Sequence, residues 1–183
     1  MPIRSVTINQ IPSHAVAILG LPWDENSSFL RGAALAPEHI RQVLHDGASN
    51  LYSESGTDLE AQQNLVDSGN LSLITELPFT EIVNAISHGV KEGNRFLCLG
   101  GDHAVTYPIF SGYMQGYDRI NILHIDAHPD LYDEFDGNRL SHACPFARIM
   151  ETGRVDRLVQ LGVRSLNTHL RQKIERFHAE TYH

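Results

Sequence analysis

The sequence predicts an α/β fold of three layers, in which helices cover both faces of a mainly parallel sheet. Short apolar runs alternate along the chain with segments of helical periodicity, a pattern typical of parallel α/β folds. The runs are nearly continuous in apolar residues, as expected for strands that are covered on both faces. Apolar residues make up 42% of the chain and charged residues 20%, which are ordinary values for a globular protein.

The strands are predicted from the apolar runs. The predicted strands are residues 15–21, 95–99, 120–125 and 158–163, with a weaker strand at 70–74. The polar stretch before the weaker strand, residues 50–69, contains scattered Ser and Gly and is predicted as a long loop.

The helices are predicted from periodicity and from their start signals. The predicted helices are residues 37–44, 80–91, 105–114, 142–151 and 169–178. The first opens with Pro37 and is expected to turn Ile40, Val43 and Leu44 toward the core. The second places its apolar residues on one stripe.

Length and charge limit the classes of protein to consider. The 183 residues suffice for one domain, predicted over residues 1–183. A net charge of −8 disfavours nucleic acid or an anionic membrane as a partner. No apolar stretch approaches the ~20 residues that span a bilayer. Two cysteines make no disulfide framework and the N-terminus lacks a signal-peptide core, so a cytoplasmic location is expected.

Two of the predicted strands end in polar residues. In FLCLGGDHAV the apolar run is followed by Asp102 and His103, and in LHIDAHPDLYD it is followed by Asp126, His128 and Asp130. Ligands of parallel sheets bind outside the carboxyl ends of the strands, so neighbouring strands would bring these groups into one pocket. Unpaired buried charges are costly, and a metal ion is the expected compensation.

The spacing of the second set favours two ions. Residues two apart in a strand lie ~6–7 Å apart and point the same way, which suits two ions ~3.5–4 Å apart that share a carboxylate. Pro129 lets the chain turn and bring Asp130 back. Mixed carboxylate and imidazole ligands favour an ion such as Mn²⁺. Two such ions lower the pKa of a water molecule, and the chemistry predicted is metal-assisted hydrolysis.

Other interpretations of these residues stay open at this point. Salt bridges could account for the aspartates, and a Gly pair before a turn is common without function. His124 lies within its strand and is expected to be a hydrogen-bonded core histidine rather than a ligand. The acidic loop of Asp133, Glu134 and Asp136 is more often solvated than catalytic.

Five segments together resemble the ureohydrolase family, the group of arginases and agmatinases. They are LGGDHAVTYP, HIDAHPDLYDEF, GNRLSHACPFARIMETG, LVQLGVRSLN and GLPWDENSSFLRGAALAPEHIR, and they span essentially the whole chain. The resemblance implies an arginase-like fold and the hydrolysis of a guanidino carbon to urea and an amine.

The resemblance also assigns roles to single residues. His103, Asp126, His128 and Asp130 stand where the family has manganese ligands, with Asp126 bridging two ions. His142 stands where the family has a catalytic histidine near the guanidinium. The segment DEFDGNRLSH lacks the Ser/Thr-rich loop of arginases, so the resemblance is closest to agmatinases. The implied partners are a small cationic guanidino substrate and further copies of the chain in a homo-oligomer.

One family segment has no counterpart in this sequence. The family's later Ser-x-Asp-x-Asp motif ends a strand and completes both metal sites, and these residues hold only four of the six expected ligands. The resemblance therefore implies that C-terminal strands of the sheet are missing and that an apolar edge is exposed. Two other functions follow as alternatives: a non-catalytic relative that binds metal or ligand or joins a full-length partner, and a structural subunit with relic ligands.

Overall fold

A computed structural model describes residues 3–47 and 50–183. The strands are β1 (Arg4–Ser5), β2 (Val16–Leu21), β3 (Leu65–Asn70), β4 (Arg95–Gly100), β5 (Ile120–Ile125), β6 (Val155–Leu161) and β7 (Glu180–Tyr182). The α-helices are α1 (Ala36–His45), α2 (Pro78–Lys91), α3 (Thr106–Tyr113), α4 (Pro145–Glu151) and α5 (Thr168–Phe177).

The strands form two parallel sheets. One sheet has the order β1-β3-β2-β4 and the other the order β5-β6-β7. Every pair of neighbouring strands within them is parallel, so the predicted α/β class is confirmed. In the part of the chain that is described, no helix has the length and apolar character to span a membrane.

The first sheet is covered on both faces. Leu19 and Leu21 of β2 share a core cluster with Ile82 and Ile86 of α2. A Cβ atom placed on Gly20, between the two leucines, would instead meet Arg41 of α1. Successive side chains of a strand point to opposite faces, so α1 and α2 lie on opposite sides of this sheet.

The second sheet is covered on one face. Ile120 and Ile122 of β5 pack against a core cluster that includes Phe146 of α4. The alternate residues, Leu123 and Ile125, are 61% and 73% exposed. These two side chains make the other face of β5 apolar and open to solvent.

Each sheet ends in a strand with one partner. Within the described residues, β4 pairs with β2 alone and β5 pairs with β6 alone. Leu97 of β4 is 53% exposed. The sequence predicts one exposed apolar edge, and among the described residues β4 and β5 each have a free edge with exposed apolar side chains.

The prediction for residues 50–74 was wrong in its placement of the strand. The strand is Leu65–Asn70, so residues 65–69 of the predicted loop belong to it, and the chain leaves the sheet where the weaker strand was expected to begin. Asp67 is buried and accepts hydrogen bonds from Arg41 Nε at 2.8 and 3.1 Å. This strand is as polar in composition as a loop because it contains Asp67, one partner of a buried ion pair.

The same ion pair explains an error in the first predicted helix. Ile40 and Val43 were expected to face the core, but they are 46% and 58% exposed. The buried residues of α1 are Pro37 and Arg41. The Arg41 guanidinium, which also donates to the backbone oxygen of Gly69 at 2.8 Å, turns that face of the helix toward the sheet.

Candidate metal centre

Four titratable side chains meet where β4 and β5 end. His103 follows β4 at the start of a short 3₁₀ turn, His124 lies in β5, and Asp126 comes directly after it. With Asp130, these residues each offer one ligand atom, and all four atoms lie within 4.8 Å of one another. The predicted convergence of the two strand ends is confirmed for His103, Asp126 and Asp130.

Asp130 reaches the cluster through an unusual backbone conformation. Its φ is +50°, in the left-handed region that Asp tolerates better than most residues. The turn after Pro129 brings its Oδ2 to 2.6 Å from His103 Nδ1. The carboxylate is buried, so this contact compensates its charge.

His124, which the sequence predicts as a core histidine, is also a member of the cluster. It is 6% exposed and stacks on Phe146 with 4.1 Å between ring centroids. Its Nδ1 lies 3.0 Å from Gln160 Nε2, so the expected hydrogen bond is confirmed. Its Nε2 has no hydrogen-bond partner among the described residues and lies 3.8 Å from Asp126 Oδ2. The two-residue spacing to Asp126 was the signal that could have placed it on the same face.

His128 lies at the rim of the cluster. Its side chain is 61% exposed, and its Nδ1 is 3.2 Å from Asp126 Oδ1. Its backbone N–H donates to the same oxygen at 2.8 Å, which orients the Asp126 carboxylate. His128 therefore stays a predicted ligand, in contact with Asp126 but outside the buried group of four.

The electrostatics of the cluster favour its charged forms. Burial lowers the pKa of His103, but the hydrogen bond to Asp130 and the nearby carboxylates outweigh it, so the pKa is raised. Burial likewise opposes ionisation of Asp126, yet the His128 N–H and the two neighbouring imidazoles bring its pKa below the usual range. His124 differs, because burial and the proximity of His103 lower its pKa.

Asp102 holds a neighbouring loop instead of pointing into the cluster. Its Oδ2 accepts from the backbone N–H of Asn26 at 3.0 Å and from Ser27 Oγ at 3.2 Å. Gly101 permits this approach, since a Cβ there would lie 1.9 Å from the backbone oxygen of Trp23. Burial raises the pKa of Asp102, although these hydrogen bonds act to lower it. The segment GLPWDENSS stands out in the sequence only through its resemblance to the ureohydrolase family. No local pattern predicted its contact with Asp102.

Asn26 in turn positions His142. The Asn26 backbone oxygen lies 3.0 Å from His142 Nδ1 and accepts from the His142 backbone N–H at 3.3 Å. A carbonyl oxygen only accepts, so Nδ1 carries a proton, and in the neutral ring Nε2 has the lone pair. The helix predicted from His142 begins only at Pro145, and His142 lies in the turn before it.

A mostly apolar cavity of about 270 Å³ adjoins this loop. Its lining includes Trp23, Asn26, Leu77, Phe79 and Leu140. Trp23 Nε1 donates to Asn26 Oδ1 at 2.6 Å, so Asn26 lines the cavity with its side chain and contacts His142 through its backbone oxygen. This lining suits an aliphatic group.

The acidic loop is partly neutralised. Asp133 contacts Lys173, which is buried, and lies 3.6 Å from His169 Nε2. The Lys173 ammonium brings the pKa of Asp133 below its usual range. Glu134 and Asp136 are exposed. The expectation of a solvated loop holds for those two residues, while Asp133 ties the loop to α5.

Imidazoles and carboxylates gathered at the carboxyl ends of parallel strands could hold a metal ion and are typical of a class of α/β proteins with metal sites at that edge. The sequence profile of the Arginase family matches residues 14–183. The chain belongs to the arginase family.

Relatives agree with this assignment. Arginase 2, chloroplastic/mitochondrial, of Arabidopsis thaliana is 42% identical over 176 residues, which cover 91% of this chain and 51% of the relative. An N(1)-aminopropylagmatine ureohydrolase of Thermus thermophilus is 32% identical, covering 83% and 52%. The structure of arginase from Medicago truncatula has a TM-score of 0.79 at 34% identity, covering 92% and 56%. The chain spans about half the length of these relatives.

Proposed function

We propose that this chain contributes to the manganese-dependent hydrolysis of a guanidino compound to urea and an amine, with an agmatine-like compound as substrate. The observation that carries the proposal is the group of His103, His124, Asp126 and Asp130, whose ligand atoms lie within 4.8 Å of one another. His142, whose Nδ1 contacts the Asn26 backbone oxygen, supplies an imidazole that can transfer a proton.

The residues present fit a divalent ion. His103, Asp126, His128 and Asp130 are the proposed ligands, and their mixture of imidazole and carboxylate suits Mn²⁺. The carboxylates of Asp126 and Asp130 and the His103 imidazole offer their ligand atoms within one small volume, which supports a cation site. Divalent ions bound here would make a water molecule a strong nucleophile at neutral pH.

The protein's own groups complete the reaction. The water oxygen bonds to the guanidino carbon and the bond from that carbon to the alkyl nitrogen breaks, which leaves urea and an amine. His142 Nε2 accepts a proton from the reacting groups and returns it to the departing amine, while Asn26 holds the ring through Nδ1–H. The apolar cavity beside Asn26 suits the aliphatic part of the substrate.

Agmatine is the first substrate to test, and arginine is the alternative. The segment after Asp130 lacks a Ser/Thr-rich loop for an amino-acid head group, and Glu134 and Asp136 leave exposed negative charge that suits a cationic tail. The names of plant relatives favour arginine instead. Purified protein loaded with Mn²⁺ should be assayed for urea with each compound in parallel.

The matched control is Asp126→Asn, which keeps the shape of the side chain and removes its charge. Urea from agmatine in the native chain, and none in the control, supports the proposal. Urea from arginine alone would replace the substrate. A folded chain that binds no Mn²⁺ and releases no urea would contradict the proposed function for both agmatine and arginine. Imaging of a tagged protein would test the expected cytoplasmic location.

A second candidate function is that of a partner subunit. The one-sided pairing of β4 and β5 favours it, because strands with a free apolar edge are templates for further strands. A chain that binds Mn²⁺ but releases urea only after it is mixed with a full-length member of the family would support this function. Light scattering should then show a mixed complex.

A further inference from the structure

We propose that His124 is a positioning residue, which donates its Nε2–H to the Asp126 carboxylate and is not itself a metal ligand. Gln160 fixes the tautomer that makes this possible. The inference rests on the proposed function only in taking Asp126 as a ligand, and its first test needs no metal.

The arrangement begins with the pairing of two strands. His124 of β5 and Gln160 of β6 are register partners in the parallel sheet, and both side chains are buried. Gln160 Nε2 lies 2.8 Å from the backbone oxygen of Pro129 and 3.0 Å from His124 Nδ1. An amide nitrogen has two hydrogens, so it can donate to both atoms at once.

The backbone oxygen determines the orientation of the amide. The Pro129 oxygen only accepts, so the atom that faces it must be the amide nitrogen. If the amide were reversed, its oxygen would lie 2.8 Å from another oxygen, with no hydrogen between them. The nitrogen therefore also faces His124, and Nδ1 of the imidazole must accept.

The tautomer of His124 follows from that contact. With an acceptor at Nδ1, the proton of the neutral ring is on Nε2. A protonated Nε2 has no lone pair for a metal. It lies 3.8 Å from Asp126 Oδ2, and the described residues offer it no other hydrogen-bond partner.

The Nε2–H group would gain a hydrogen-bond acceptor if the Asp126 carboxylate turned toward it on metal binding. Stacking of His124 on Phe146, with the rings inclined by 29°, limits the tilt of the imidazole. A small rotation of the Asp126 carboxylate, which is 33% exposed, would close the gap. Hydrogen bonds to ligating carboxylates orient them, and their loss weakens metal binding about 10–100-fold.

Long-range ¹H–¹⁵N correlation spectra of the ¹⁵N-histidine-labelled, metal-free chain test the tautomer directly. His124 should show an acceptor-type Nδ1 and a protonated Nε2, identified by the signals absent from His124→Phe. The same pattern should persist with Zn²⁺, a diamagnetic ion. An unprotonated Nε2, before or after Zn²⁺, would overturn the proposal. In Gln160→Met the proton of His124 should no longer be confined to Nε2. An unchanged spectrum would show that Gln160 does not set the tautomer.

Mn²⁺ titration followed by electron paramagnetic resonance tests the consequence. His124→Phe should weaken Mn²⁺ binding about 10–100-fold. His124→Gln, whose amide places an N–H near the position of Nε2, should restore most of the affinity. An equal loss in both variants would contradict the donor role. A native chain that binds no Mn²⁺ but shows the expected tautomer would refute the proposed function and leave the hydrogen-bond assignment standing.

Discussion

His103 Nδ1 lies 2.6 Å from Asp130 Oδ2, and this contact joins the ends of two strands that belong to different sheets. His103 follows β4, and Asp130 follows β5. No backbone ladder connects those strands within the described residues. The candidate metal centre is therefore also a link between the two sheets.

This link makes Asp130 the first position to test. Asp130→Asn keeps a residue that tolerates its φ of +50° and an oxygen that accepts from His103, but it removes the charge. We expect the variant to fold and to lose tight Mn²⁺ binding. Asp130→Ala should lose the metal as well, and about 1–2 kcal/mol more of the free energy of unfolding, because Ala disfavours this conformation. Equal stability of both variants would refute the strain argument.

His142 should affect turnover without affecting metal binding. His142→Asn keeps an N–H for the Asn26 backbone oxygen but has no counterpart of Nε2. If the chain releases urea, we expect kcat to fall about 10²–10⁴-fold, the range for loss of a general acid or base. Mn²⁺ affinity should be unchanged. A parallel fall in Mn²⁺ affinity would place His142 among the ligands instead.

Gly101 should tolerate no side chain. In Gly101→Ala the new Cβ would overlap the Trp23 backbone oxygen, so the loop that carries Asn26 must move. We expect a loss of about 1–3 kcal/mol in the free energy of unfolding, measured by chemical denaturation. Gly100→Ala is the matched control, because its Cβ would be 3.4 Å from a flexible Val105 methyl group. Equal losses in the two variants would mean that the approach to Trp23 is not the cause.

Asp24 should contribute stability that disappears in acid. The backbone N–H groups of Gly32 and then Ala34, at 2.6 and 3.1 Å, hold the pKa of Asp24 below its usual range. A lowered folded-state pKa stabilises the protein above the unfolded pKa of about 3.9, and the benefit is lost as pH falls through the folded value.

Asp24→Asn should therefore be less stable than the native chain near neutral pH, and the difference should shrink in acid. Denaturation curves between about pH 6 and pH 3 would measure it. Glu134→Gln, at an exposed carboxylate, is the control and should show little difference at any pH. A gap for Asp24→Asn that stays constant with pH would contradict the linkage.

The open face of β5 should promote association. Leu123 is 61% exposed on a strand with one neighbour, and such apolar edges associate. We expect Leu123→Lys to raise the monomer fraction in sedimentation velocity. Leu30→Lys removes a leucine that is 72% exposed in a loop, and it should leave the distribution unchanged. The same response in both variants would show a general effect of charge.

The local chemistry of the chain was predictable where it depends on short patterns. Continuous apolar runs predicted β2, β4 and β5 to within one residue, because buried parallel strands have little freedom of composition. The same patterns failed where a long-range ion pair replaced apolar burial. Asp67 looks solvated in sequence, and only Arg41, 26 residues away, makes its burial possible.

The sequence by itself determined the α/β class, the family and three of the clustered groups, His103, Asp126 and Asp130, because strand ends and motif spacing are local properties. The tertiary structure decided the rest. It brought His124 into the cluster, placed His128 at its rim and set His142 against Asn26. Those outcomes depend on contacts between residues far apart in the chain, such as Gln160 with His124, and no local pattern encodes which partner a buried polar atom will find.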